Sequence, residues 1–344
     1  MADHCGSRLF RVVITGASAG VGRAVAEEFA AQGWHVGLIA RGRAGLEGAR
    51  AAVERRGGVA LTIAADVADA QAVDRAAEEV VAAWGGIDIW INAAMATVLA
   101  PSREVTPEEF RRVTEVTYLG QVFGTMAAVR QMSRQGHGTI VSIGSALAYR
   151  GIPLQAPYCA AKFAVRGFLD SLRAELLHDG SPLRVTEVHL PAVDTPQFDW
   201  ARNKMPHRPQ PVPPIYSPQA IAVEVYRAAM EAPREVWLAG SAVKAILGDA
   251  AAPTVVDRVL AGQAYSGQQT DQAAESRRDN LFDPVDDLQD HGANGRFGDR
   301  ARTRVRSIRP ARLRAGAAAV AVGLVAGGVI ALLKSDTREG RFRG

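Results

Sequence analysis

Cysteine is nearly absent: the 344 residues include only Cys5 and Cys159. Two thiols cannot build a disulfide framework, and no C-x-x-C or Cys/His cluster has zinc spacing, so no metal is expected. So few thiols fit a reducing, cytoplasmic compartment. Net charge is small as well, 40 basic against 36 acidic side chains, and +4 alone argues for no nucleic-acid partner. Residues 1–8 are polar and lack the apolar core of roughly 7–15 residues that marks a signal peptide. With 48% apolar and 22% charged residues, the composition excludes a disordered, collagen-like or many-spanning membrane chain.

What is present is unevenly placed. Short apolar runs alternate with helical patterns through the first two thirds of the chain. Strands are predicted over 10–15, 35–40, 59–64, 87–92, 139–143, 183–189 and 235–238. Helices are predicted over 23–32, 45–56, 70–84, 107–134, 156–178 and from Ser217-Pro218 to about Glu231. Near-continuous apolar strands separated by helices are the mark of βαβ units. The fold class is therefore α/β, a doubly wound Rossmann-type parallel sheet, with ligands at the carboxyl ends of its strands. That body is expected to fill residues 7–250. The stretch 191–216 holds seven prolines and is too irregular for regular structure, so it reads as a lid, with Phe198, Trp200 and Met205 as its apolar residues. Residues 251–312 read as a polar linker, partly disordered, and 313–334 as a hydrophobic helix.

Chemistry concentrates at three places. Gly16, Ser18, Gly20, Val21 and Gly22 follow the first strand in the run TGASAGVG. Glycines there permit a tight turn, and the helix N-terminus behind it attracts a pyrophosphate. The second strand ends Ala40-Arg41, with no acid before Glu47. An acid in that region holds a ribose 2′-hydroxyl, whereas an arginine suits a 2′-phosphate, so NADP is favoured over NAD. Tyr158 and Lys162 stand one helical turn apart on one face, where an ammonium should pull the phenol's pKa down toward working pH. Such a tyrosine is a general acid for a carbonyl or a base for an alcohol. Ser145 lies just past a strand and can bond the same substrate oxygen.

These residues together resemble the short-chain dehydrogenase/reductase family. TGASAGVG, Asp66-Val67 after the third strand and the Ser145 to Tyr158-x-x-x-Lys162 spacing carry the likeness over about residues 8–245. The resemblance implies an NAD(P)-dependent oxidoreductase for a ketone, aldehyde or alcohol substrate. It implies Tyr158 as acid/base, Ser145 as the residue that orients the substrate, and Lys162 as the ribose ligand that tunes the phenol. It further implies Asp66 and Val67 at the adenine, Asn92 beside the cofactor, and Val193 and Thr195 at the nicotinamide. A homo-oligomer is implied as well. Three positions depart from the pattern: Asn92-Ala93-Ala94-Met95 puts Met95 where glycine is usual, Thr117 replaces the fourth catalytic residue, an asparagine, and Pro191-Ala192 replaces Pro-Gly. Those departures favour an alternative, a cofactor-binding scaffold or redox sensor with little turnover.

The tail adds one expectation. Eight arginines and one acid fill Arg296 to Arg314, and the next 19 residues, 315–333, carry no charge. As a helix they would span about 28 Å, close to the roughly 30 Å of a bilayer core. Eight arginines before that stretch, against four positive residues after it, would hold the catalytic body in the cytoplasm, anchored to the membrane. The likeness extends here too, since a bacterial branch of the same family carries such a hydrophobic tail. No aromatic or recognition-helix pattern accompanies the arginines, so nucleic acid is not an expected partner.

Overall fold

Strands that are apolar along their whole length need cover on both faces, and this chain supplies it with alternating helices. A computed structural model describes residues 9–311. Its strands β1 (Arg11–Thr15), β2 (His35–Ala40), β3 (Val59–Ala64), β4 (Ile89–Asn92), β5 (Thr139–Ser145), β6 (Arg184–Leu190) and β7 (Glu235–Leu238) run parallel. They lie side by side in the order β7-β6-β5-β4-β1-β2-β3. The expected doubly wound sheet is present.

Alternation along each strand divides the core. Val12 and Ile14 of β1 pack with Phe29 and Val25 of α1 (Gly20–Ala31), Leu46 of α2 (Arg43–Arg55) and Ile221 of α8 (Pro218–Glu231). Val13, one residue over, faces the other layer, where α3 (Ala70–Trp84), α5 (Gly120–Gln135) and α6 (Ala156–His178) bury Val80, Met132 and Leu169. The helix expected over 107–134 is divided. α4 (Pro107–Thr114), opened by a Thr106–Glu109 capping box, passes through a π-helical turn at Glu115–Leu119 into α5. Thr117 sits in that turn, and its hydroxyl both accepts from the Ala96 N–H at 2.9 Å and donates to the Ala96 carbonyl at 2.8 Å. A wide turn of this kind re-aims a side chain that a regular helix would point elsewhere.

The segment expected to be a partly disordered linker has definite structure instead. The short turn α7 (Gln197–Trp200) lies in the proline-rich loop, and α9 (Gly240–Ala251) and α10 (Pro253–Gly267) follow β7. Gln269–Ala273 then pairs antiparallel with His207–Pro209 of the proline-rich loop. Residues 277–302, called the strap below, return across the carboxyl ends of the strands. Backbone bonds tie the strap down: Asn280 N–H to the Trp200 carbonyl at 3.0 Å and Gly45 N–H to the Asp286 carbonyl at 2.9 Å. The compact unit accordingly extends to Ser307, not to residue 250. Polar composition misled here because the strap is held by main-chain bonds, by ion pairs such as Asp279 with Arg202 and Asp290 with Arg23, and by isolated apolar anchors, Leu281 and Phe297, none of which leaves a period in the sequence. Among the described residues no helix is long and apolar enough to cross a membrane, and the 313–334 segment lies outside the described residues.

At the opposite end of the sheet from the strap, one carboxylate joins three elements. Asp88 accepts from the Arg11 N–H at 2.9 Å and from Arg11 Nε at 2.8 Å, and the His137 ring lies 3.1 Å from its other oxygen. Burial opposes the charge, but the Arg11 guanidinium and amide hold the carboxyl below its ordinary value. Asp88→Asn is expected to cost about 1.5–3 kcal/mol at neutral pH, as charge-assisted bonds do. Because the folded pKa is depressed, this stabilisation is complete above the unfolded value near 4 and fades as pH falls through the folded one. Denaturant unfolding at pH 7 and at pH 3 should show the wild-type advantage shrinking in acid.

Candidate active site

Between β1 and β4 the chain order reverses, so the helices that follow these strands leave on opposite faces and a crevice opens. The Gly-rich turn forms one wall. Gly16 takes φ +69°, and a Cβ there would come within 2.7 Å of the Ala94 backbone; one on Gly22 would lie 2.2 Å from the Gly16 carbonyl. Only glycine allows these main-chain segments to approach so closely. Ala19 gives α1 no side-chain cap, which leaves the first-turn amides of Val21 and Gly22 open to an anion. The Gly20 N–H is already used, bonded to the Gly292 carbonyl of the strap at 3.1 Å. A close-packed glycine turn facing a cavity of about 440 Å³ fits a dinucleotide's pyrophosphate.

Ser145, Tyr158 and Lys162 line the same cavity. Ser145 closes β5; its Oγ accepts from the Leu147 N–H at 3.1 Å, and its carbonyl accepts from His189 Nδ1 at 3.1 Å. Tyr158 lies in the first turn of α6, with Lys162 one turn further. Lys162 Nζ donates to the Ile143 carbonyl at 2.7 Å and lies 5.5 Å from the centre of the Tyr158 ring. Burial pushes the Lys162 ammonium down to about 8, opposed by nearby Glu187. Burial also pushes the Tyr158 phenol above its ordinary value, a shift that its hydrogen bond with Ser145 partly offsets. This corrects the expected tuning. Spacing on the helix brings the two residues together, but the ammonium is turned toward a carbonyl and desolvation governs the phenol.

A polar cluster supports Ser145 from behind. His189, fully buried, is held neutral by desolvation, which pushes it down to about 4, and burial pushes Glu187 up to about 7. Tyr149 donates to Glu235 and stacks edge-on against His189 at 4.9 Å. With its Nδ1–H on the Ser145 carbonyl, His189 fixes the backbone that carries the serine.

Most of the predicted site residues meet at this cavity. Gly16, Ser18, Gly20, Val21, Gly22, Arg41, Asp66, Val67, Ser145, Tyr158, Lys162, Val193 and Thr195 all line it, as does Met95. Asn92 does not. Its side chain is buried, accepting from Trp90 Nε1 at 2.8 Å and donating to Thr125 Oγ1 at 2.9 Å, and so is spent on the core. Arg41 lines the cavity but not as a free cation, because its guanidinium donates to the carbonyls of Asn280 and Phe282. Phe198 and Trp200 of the expected lid face the cavity, whereas Met205 is buried away from it. Sequence reasoning missed the strap's share, Asn280, Val285 and Asp286. No period or motif between 277 and 297 marks it.

Known proteins are similar to this chain in sequence and fold. Residues 11–206 match the sequence profile described as short chain dehydrogenase. The uncharacterized oxidoreductase YxnA of Bacillus subtilis is 32% identical over 320 residues, 92% of this chain and 88% of that one. Sorbitol dehydrogenase of Cereibacter sphaeroides is 35% identical over 193 residues, 56% of this chain and 73% of that one. Among solved structures, an alcohol dehydrogenase of the archaeon Thermococcus sibiricus complexed with 5-hydroxy-NADP superimposes with a TM-score of 0.57. It is 26% identical, and the match covers 67% of this chain and 96% of that one. A glycine turn at the switch point, a serine–tyrosine–lysine trio opposite it and a profile matched over most of the sheet lead to one conclusion: this chain is an oxidoreductase of the short-chain dehydrogenase family.

Proposed function

We propose that the chain interconverts a ketone or aldehyde and the corresponding alcohol, with Tyr158 as the proton donor and acceptor. The observation that carries this reading is the convergence of Ser145, Tyr158 and Lys162 on a cavity whose far end is the glycine turn. A bound nicotinamide would supply or take up the hydride. Ser145 Oγ would bond the substrate oxygen and aim it at the phenol. Tyr158, kept protonated by burial, would give its proton to that oxygen in reduction and recover it in oxidation. Lys162 would hold the nicotinamide ribose and oppose the charge that develops on the phenol. Leu147, Ile152, Phe198, Trp200 and Leu260 form an apolar wall, which supports a hydrophobic substrate.

The scaffold alternative draws on Thr117 and Met95. The Thr117 hydroxyl gives its single proton to the Ala96 carbonyl and accepts from the Ala96 N–H, so it has no proton left to donate to a relay water as the family's asparagine amide would. Turnover decides between the two readings.

Tyr158→Phe is expected to lower kcat by about 10²–10⁴-fold while leaving the dissociation constant of the reduced cofactor unchanged. Stopped-flow rates and a fluorescence titration of the same protein would check both. Wild-type rates in that variant would refute the mechanism and favour the scaffold. A second expectation concerns pH. Lys162 loses its charge as pH rises through about 8, so the carbonyl-reduction profile should show a falling limb there. A flat profile from pH 7 to 9 would remove Lys162 from the proposed role.

A further inference from the structure

The second strand ends without the acid that would take a ribose 2′-hydroxyl, and its Arg41 reads as a ligand for a 2′-phosphate. The strap changes both terms. Arg41 Nη1 donates to the Phe282 carbonyl at 2.7 Å and Nη2 to the Asn280 carbonyl, so both ends of its fork are occupied. Asp66, Asp286 and Asp283 all lie close enough to act on it electrostatically.

The amides beyond Arg41 are occupied too. Arg43 N–H bonds Asp287 Oδ1 at 3.2 Å, Ala44 N–H bonds the Asp287 carbonyl at 3.3 Å, and Gly45 N–H bonds the Asp286 carbonyl at 2.9 Å. The open N-terminus of α2, which would otherwise attract a phosphate, is thus capped by the strap. Asp286 itself is buried, 8% exposed, and it lines the cavity together with Ser18, Arg41 and Asp66. Its carboxylate lies where Cβ atoms on Gly42 and Gly45 would be, within 2.0 and 2.4 Å of them. Among the described residues nothing donates a hydrogen bond to that carboxylate. A carboxylate on the cavity wall can accept a hydrogen bond from a ligand hydroxyl.

We propose that Asp286 is the cofactor-selecting acid that β2 lacks, accepting the adenosine ribose 2′-hydroxyl, so that the strap makes the site one for NAD(H) rather than NADP(H). This rests on the functional reading above and reverses the preference that Arg41 alone suggests. A hydroxyl donates to a carboxylate in a strong, charge-assisted bond. A phosphate at the same place meets a second anion, and it finds the α2 amides and two of the five guanidinium N–H groups of Arg41 already bonded.

The test uses the full-length chain and measures binding, not turnover: dissociation constants of NADH and NADPH by fluorescence titration, for wild type, Asp286→Asn and Asp286→Ala. The expected result is NADH at least tenfold tighter than NADPH in wild type. Both substitutions should weaken NADH about tenfold and narrow or invert the ratio. Tighter NADPH in wild type, or a ratio that neither substitution moves, overturns the role of Asp286 and leaves the functional reading standing. Binding of neither cofactor overturns both. The wild-type ratio needs no variant, so the NAD(H) preference can be overturned even if one substituted chain fails to fold. Asp286→Asn, which keeps the shape of the side chain, carries the test of Asp286 itself.

Discussion

Everything at the active end of this molecule depends on two main-chain segments being allowed to touch. The backbone of Gly16 lies against that of Ala94, and Gly22 against Gly16, at distances that no side chain would permit. This contact lets α1 begin directly above the crevice between β1 and β4 with its uncapped amides directed inward. A methyl group at either glycine would push the helix from the sheet and separate the two ends of the cavity. The serine, tyrosine and lysine would keep their own local positions, but nothing would stand opposite them.

Behind the trio, the enzyme keeps ionisable groups where water does not reach. Glu187, His189 and Glu235 sit on adjacent strands β6 and β7, with Lys162 and Arg173 acting on Glu187 across the layer. Charge there is costly, and burial drives His189 to its neutral form and Glu187 toward its own. A neutral imidazole has one N–H to give, and it goes to the Ser145 carbonyl. The cluster thereby serves as a rigid bracket for the serine rather than as a charge store.

Much of this was legible in the residues. Parallel strands are buried on both faces, so β1, β2, β4 and β5 announce themselves as unbroken apolar runs, and the motifs that follow them are local in sequence. What escaped depends on direction and on backbone. Asn92 sits at a strand end near the cavity, but strand alternation aims its amide at Trp90 and Thr125. The π-helical turn at Glu115–Leu119 leaves no trace in a hydrophobic pattern that runs on without a break. Helical spacing places Tyr158 beside Lys162 without saying that a carbonyl of β5 holds the ammonium. The strap is hardest of all to foresee, since its carbonyls and amides share the work with scattered ion pairs and single apolar anchors, and its side chains read as a solvated linker.

The strap's contacts also set an order of events during synthesis. Arg41 bonds a partner 239 residues downstream, and Arg23 reaches Asp290 across 267. A chain emerging from the ribosome can build the sheet, the glycine turn and the Ser145–Tyr158–Lys162 group well before those partners exist. During that interval the nascent fold exposes an open crevice lined by apolar strand ends and unsatisfied helix amides. Once the sheet stands, docking the strap closes only the segment that follows Leu238, so its loop-closure entropy is modest. A chain whose strap has not yet docked would be open at its cofactor face, where a dinucleotide could enter before the strap closes over it.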